Sequence, residues 1–309
     1  MTRSIRPLLA GLLGSLLALL TCPAFAAPAP EIAITVDDMP AHGPLPAGET
    51  RVGVAERMIA ALKDEGLTGV YGFVNGGFAE ANPGSDAVFP LWRKAGFRFG
   101  SHTWSHPNLN DLSAEDYEAG IARDEPLLQR IAGETDWHWF RFPFLQEGSD
   151  PAKRLEIRHY LAAHGYHIAQ VTMDFGDYAW NEPYARCMAK GDQAAVAKLE
   201  QAYLDSAREN AAGFRTLSKA IYGRDIPYVL LMHIGAFDAH MLPRLIALYR
   251  SLGFRFVTLP EAERDPAYAS DVDPSRPPEP VGLVAKARAR NIPIPPLYTQ
   301  MAMLDGMCR

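Results

Sequence analysis

The chain has 309 residues, 48% hydrophobic, 10% aromatic and 21% charged, which is enough apolar material for a sizeable core and too much for a disordered or collagen-like polypeptide. A formal charge of −6 without a Lys/Arg cluster excludes a general nucleic-acid binder, because neutralising phosphates takes a concentrated basic surface. Three cysteines and no Cys-x-x-Cys pair exclude a disulfide-built scaffold, a zinc ribbon and a redox motif.

The N-terminus reads as a targeting segment. Arg3 and Arg6 precede an apolar run over 8–20, and Ala24-Phe25-Ala26 follows with the small-x-small pattern of a cleavage site, which predicts a signal peptide over 1–26 and an exported, periplasmic or secreted protein. The run is short of the roughly 18 residues that cross a bilayer, so no stable membrane span is expected after cleavage. Thr21 stands before Cys22 where lipidation calls for a smaller residue, so a lipid anchor is not expected. The cysteines left are Cys187 and Cys308; an oxidising compartment allows a disulfide between them, tying the C-terminal tail to the body, and two free thiols are the alternative.

From residue 27 onward strand and helix signals alternate. Short apolar or aromatic runs at 32–36, 70–74, 97–100, 139–142, 167–171, 228–232 and 254–257 have strand character,. Between them, apolar residues recur at three- and four-residue spacing over 52–65, 86–95, 114–131, 152–164 and 240–252,. Ser113 and Asp150 are placed as N-caps, and Gly66, Gly96, Gly133, Gly165 and Gly253 stand where helices should stop,. Repeated strand–helix units predict an α/β fold with parallel strands, and about seven of them over 27–260 suit a distorted, incomplete (β/α) barrel better than two domains. The segment 173–227, with a helical stretch over 192–210, is expected as an insertion over one face. Residues 261–309 are rich in proline, which predicts an extended C-terminal tail, wrapped on the body or loose.

Polar residues sit where such a fold puts its chemistry, beyond the C-terminal strand ends. The first strand runs into Asp37-Asp38 and the third into Ser101-His102-Thr103-Trp104-Ser105-His106; the fourth ends near Arg141, the fifth leads to Asp174 and Asp177, and the sixth ends at His233. Two adjacent carboxylates repel unless one of them holds a cation and leaves the other as a base. His102 and His106, four apart, bring two imidazoles to one turn or tight loop. His164 and His167 form a rival pair, but they straddle a helix end and suit a helix-terminal role. His42, in a Pro/Gly loop, is an outside candidate for a ligand, and His233 has the alternative of a core histidine. Trp104, Trp137, Trp139, Tyr178 and Trp180 fall in or near the mouth, where flat rings suit sugar faces; ordinary core packing is their alternative.

Taken in order, these clusters resemble the five motifs of the polysaccharide deacetylases of carbohydrate esterase family 4. The resemblance covers about 31–260. Thr35-Val36-Asp37-Asp38 is similar to the first motif, which implies Asp37 as catalytic base and Asp38 as metal ligand. Ser101 to His106 resembles the second, implying His102 and His106 as the other ligands. Arg141-Phe142-Pro143-Phe144 resembles the third, implying that Arg141 orients the base and the Phe144 N–H serves an oxyanion site. Asp174-Phe175-Gly176-Asp177-Tyr178 and Leu230-Leu231-Met232-His233 resemble the last two, implying His233 as the acid, supported by Asp174 or Asp177. Phe142, Phe144 and Tyr178 replace a usual proline, tyrosine and tryptophan, and Trp180 is a substitute for the missing aromatic wall. One carboxylate and two imidazoles with an open position have the composition of catalytic zinc, with Co2+, Ni2+ or Mn2+ as other occupants. The implied activity is metal-dependent removal of N-acetyl or O-acetyl groups from a polysaccharide or oligosaccharide. The alternatives are an amidohydrolase on a small non-carbohydrate amide and a non-catalytic glycan-binding protein.

Overall fold

Seven of the apolar runs become strands: β1 (Glu31–Met39), β2 (Tyr71–Val74), β3 (Arg98–Ser101), β4 (Trp139–Phe140), β5 (His167–Ile168), β6 (Tyr228–His233) and β7 (Arg255–Phe256). The structure, a computed structural model, describes Met1, residues 28–276 and residues 280–309. The expected signal peptide, with Cys22, and the Pro277-Pro278 pair therefore lie outside the described residues. Every strand pairing is parallel, in the order β5-β4-β3-β2-β1-β6, with β7 also on β1. After Ile168 the chain leaves β4, and Met173 forms a lone bridge to Leu230 of β6. The sheet thus curls toward closure without a continuous ladder there, as a distorted, incomplete barrel. β6 is buried throughout and β1 from its second residue on, as parallel strands covered on both faces must be.

Helices fill the crossovers: α1 (Arg51–Asp64), α2 (Gly76–Ala81), α3 (Val88–Lys94), α4 (Ala114–Ala132), α5 (Pro151–Ala163), α6 (Asn181–Lys190), α7 (Gln193–Tyr222), α8 (Ala236–Ser251), α9 (Leu259–Ala262) and α10 (Gly282–Ala289). The Ser113 side chain accepts from Asp116 N–H to cap α4, and Asp150 accepts from Ala152 N–H to cap α5. In the insertion, α7 runs well past the Asn210 end expected from the sequence. It continues through Gly213, where the C-terminal segment packs against it: a Cβ there would come within 2.6 Å of Leu297. The helix ends only at Gly223, whose φ of 73° suits glycine,.

The C-terminal segment wraps the body and is only partly extended. Its prolines leave the stretch from Val281 to Ile292 free of ring constraints, and α10 forms there, burying Leu283 and Ala287. Cys187 of α6 and Cys308 are bonded, S–S 2.08 Å, across a sequence separation of 121. Closing so long a loop restricts the unfolded chain, so Cys308→Ser is expected to destabilise the protein by about 2–4 kcal/mol. The measurement is the urea midpoint of oxidised wild type against the variant; equal midpoints would mean that the tail's other contacts hold it alone.

Candidate active site

Strand register brings the polar clusters to one level. Asp37 pairs with His233 across β1 and β6, Met39 with Val74, Val74 with Ser101, and Ser101 with Phe140, so Asp37, His102, Arg141 and His233 share one rim. Adjacent strand residues normally point to opposite faces, which would separate Asp37 from Asp38. A register irregularity on the β2 side between Val36 and Met39, with Asp38 at φ 64°, removes that alternation. Bulges of this kind re-aim side chains next to active sites. Thr103, His106, Phe144 and Leu145 are left-handed too, so backbone strain gathers at this rim.

Asp38, His102 and His106 offer ligand atoms that all lie within 4.8 Å of one another. Asp38 Oδ1 is buried without a hydrogen-bond partner, 3.8 Å from His102 Nε2 and 3.5 Å from His106 Nε2. An orphaned carboxylate oxygen facing two imidazole nitrogens fits a cation. His102 Nδ1–H donates to Arg141 O at 2.7 Å, which turns Nε2 toward the ligand set. Burial and the neighbouring His102 push His106 down to about 4, against the pull of Asp38 and Asp37, so its ring is a neutral donor. Burial raises Asp38, but the hydrogen bond from His42 and the charge of His233 outweigh it and hold the carboxyl well below the ordinary range.

Asp37 lies beside this set, with its Oδ2 3.5 Å from His102 Nε2. Its Oδ1 accepts from Arg141 Nη1 at 2.7 Å, and Arg141, fully buried, also donates to Thr35 Oγ1 and Ala169 O. Across the cavity, Asp177 Oδ1 meets His233 Nδ1 at 2.9 Å and Oδ2 accepts from His233 N–H at 2.6 Å. This separates the two acids of the fourth motif. Asp177 holds His233, whereas Asp174 accepts from Gly176 N–H and from the Tyr298 hydroxyl of the C-terminal segment. Burial raises Asp174.

Asp37, Asp38, His102, His106, Asp174 and His233 line a cavity of about 420 Å³ with His42, Phe144, Leu145, Tyr178 and Leu231, within the size range of small-molecule sites. Phe144 and Tyr178 are 57% and 51% exposed and stand edge-on to His106 and His233 at 4.5 and 5.7 Å. Trp104 and Trp180, expected at the mouth, are not among the cavity's lining residues. Trp104 packs on Gly76 and Gly77 and under Arg123, and Trp180 is wholly buried against Tyr203 and Phe237. Proximity in sequence to a motif does not set the direction of a side chain. Trp137 stacks on His138 and Trp139 packs at a tilt against His167 instead, and His164 caps its helix end by bonding Tyr160 O. Sequence reading missed Asn75, whose side chain donates to His102 O at 2.6 Å and Thr103 O at 2.8 Å. It directly follows β2, the one strand end of the first four that was passed over.

A family model described as polysaccharide deacetylase matches residues 26–172. Over that segment, just under half of its length, the chain is similar to the polysaccharide deacetylases. The family match includes Asp37, Asp38, His102, His106 and Arg141 and stops before Asp174, Asp177, Tyr178 and His233, which reach the site through the geometry above. A chitin deacetylase from Colletotrichum lindemuthianum is 26% identical over 217 residues, covering 68% of this chain and 74% of that protein. The solved chitin deacetylase of that fungal pathogen superposes with a TM-score of 0.52 at 24% identity, over 76% of this chain and 87% of its own. A family 4 pseudoenzyme from Bacillus anthracis has the same architecture, TM-score 0.51 at 14% identity, over 76% and 65% of the two chains. The polysaccharide deacetylase fold is thus shared by active and inactive proteins, and activity has to be argued from the site.

Proposed function

We propose that this chain is an exported, metal-dependent deacetylase that hydrolyses N-acetyl or O-acetyl groups on a polysaccharide or oligosaccharide. The observation that carries the reading is the orphaned Asp38 Oδ1 beside His102 and His106, with an Arg141-held carboxylate on one side and an Asp177-held imidazole on the other. Asp38, His102 and His106 would hold a divalent cation, which would supply Lewis-acid polarisation and water acidification there; zinc is favoured, with Co2+, Ni2+ and Mn2+ able to enter.

The chain's own residues do the rest. Asp37, fixed by Arg141 through a charge-assisted bond, takes the proton of the attacking water. The Phe144 N–H, in a left-handed turn, donates to the developing oxyanion. His233, its proton stabilised by Asp177, delivers that proton to the departing amine or alcohol. Phe144 and Tyr178, both exposed across the cavity, present ring faces and edges to the sugar, and residues 27–260 form the catalytic unit, with the tail bracing Asp174 through the Tyr298 hydroxyl. The disulfide supports export, since such bonds persist in oxidising compartments,.

The test is acetate release from acetylated oligosaccharides and from small amides. Release from the oligosaccharides is expected, lost on chelation and restored by zinc. Turnover of the small amides alone would favour the amidohydrolase, and tight glycan binding without release by the zinc-loaded protein would favour a binding role.

A further inference from the structure

We infer that His42 is a positioning residue that aims the Asp38 carboxylate at the cation and ties that ligand to the loop carrying the proposed acid's partner. The inference rests on the metal-site reading above. Asp38 uses its two oxygens differently: Oδ1 faces His102 and His106 and has no hydrogen-bond partner, while Oδ2 accepts from His42 Nδ1 at 2.7 Å. A carboxylate fixed at one oxygen presents the other without having to give up its rotational freedom when the cation arrives.

The local sequence builds this contact. After Asp38 the chain reverses at the cis Met39–Pro40 peptide, and Ala41 N–H returns to Asp38 O at 2.9 Å. Four residues after Asp38, the imidazole comes back under the carboxylate it follows. Arg51, the first residue of α1, donates to His42 O at 2.8 Å and holds the loop from behind. On its far side His42 Nε2 lies 3.3 Å from Tyr178 O, and its ring is 4.8 Å from the ring of His233. Tyr178 follows Asp177 directly, so one imidazole stands in contact with both the cation ligand and the loop that holds the acid. His42 is not one of the three groups that can share the cation, so it acts through Asp38.

Zinc affinity, measured on the full chain by competition with a chromophoric chelator, tests this. Hydrogen-bond partners of metal ligands typically contribute 10–100-fold to affinity, so His42→Ala is expected to bind zinc 10–100-fold more weakly. His42→Phe, which keeps a ring without a donor, carries the same expectation and serves if the alanine variant does not fold. His42→Asn, whose amide nitrogen reaches roughly where Nδ1 stands, is expected to restore affinity, a recovery that loss of packing alone would not give. A folded His42→Ala or His42→Phe with wild-type zinc affinity, or His42→Asn as weak as alanine, overturns the inference and leaves the deacetylase reading in place. Wild-type protein that binds no zinc overturns both.

Discussion

Asp37→Asn is expected to lower acetate release by about 10²–10⁴, the usual contribution of a positioned general base, while zinc still binds. The amide keeps the shape of the side chain and one acceptor but has no basic oxygen to take a proton. The two aspartates differ in their contacts: Asp38 Oδ1 faces both imidazoles without a hydrogen-bond partner, whereas Asp37 is bonded to Arg141 through Oδ1 and has Oδ2 3.5 Å from His102 Nε2. The substitution has a structural cost that must be measured beside the rate. Arg141 is wholly buried, and removing its counter-charge leaves an uncompensated cation, an effect that commonly destabilises by about 3–5 kcal/mol. Thr35 Oγ1 and Ala169 O still accept from the guanidinium, and Phe73 lies under it at 4.1 Å, so part of that loss is offset. Zinc stoichiometry and a thermal melt on the same preparation separate the two effects. A folded, zinc-loaded variant with wild-type turnover would remove Asp37 from the base role.

The part of this site that is legible in the sequence is the part that topology dictates. Asp37, His102, Arg141 and His233 each follow an apolar run, and parallel strands bring such ends to one rim whatever lies between them,. Asn75 obeys the same rule at the end of the second strand. Other features depend on pairing or direction, which a one-dimensional pattern does not carry. The irregularity that turns both aspartates to one mouth belongs to the register of β1 on β2. Trp104 and Trp180 are aromatic and close to motifs, yet one lies on two glycines and the other in the core. Tyr298 reaches Asp174 across a sequence separation of 124, with no local signal to announce it. The helical stretch legible over 192–210 continues to Tyr222, through Gly213, where the tail packs closely.

Asp177→Asn is expected to move the alkaline limb of the kcat/KM–pH profile down by about 1–3 units, the usual effect of a removed opposite charge at contact distance. Burial by itself disfavours the charged imidazole of His233, but the charge and hydrogen bond of Asp177, aided by Asp38 and Asp37, outweigh it and raise the group from 6.5 to about 10. An acid works only while it holds its proton, so activity is present below that value and falls as pH rises through it. A cation on Asp38 offsets that residue's share of the support and leaves the direct contact of Asp177 intact. Asp238, also buried nearby, is pushed well up, first by burial and then by the charge of Asp177; its oxygens accept from Asn181 and Tyr203 and hold no direct contact with the His233 ring. Asparagine keeps an oxygen to accept from the ring or from His233 N–H, so orientation largely survives while the stabilising charge is gone, and burial then pulls the imidazole toward or below its ordinary value. The profile, taken with zinc in excess, distinguishes this from a purely orienting role: a uniform drop in rate with an unmoved alkaline limb would mean that Asp177 aims His233 without setting its proton affinity.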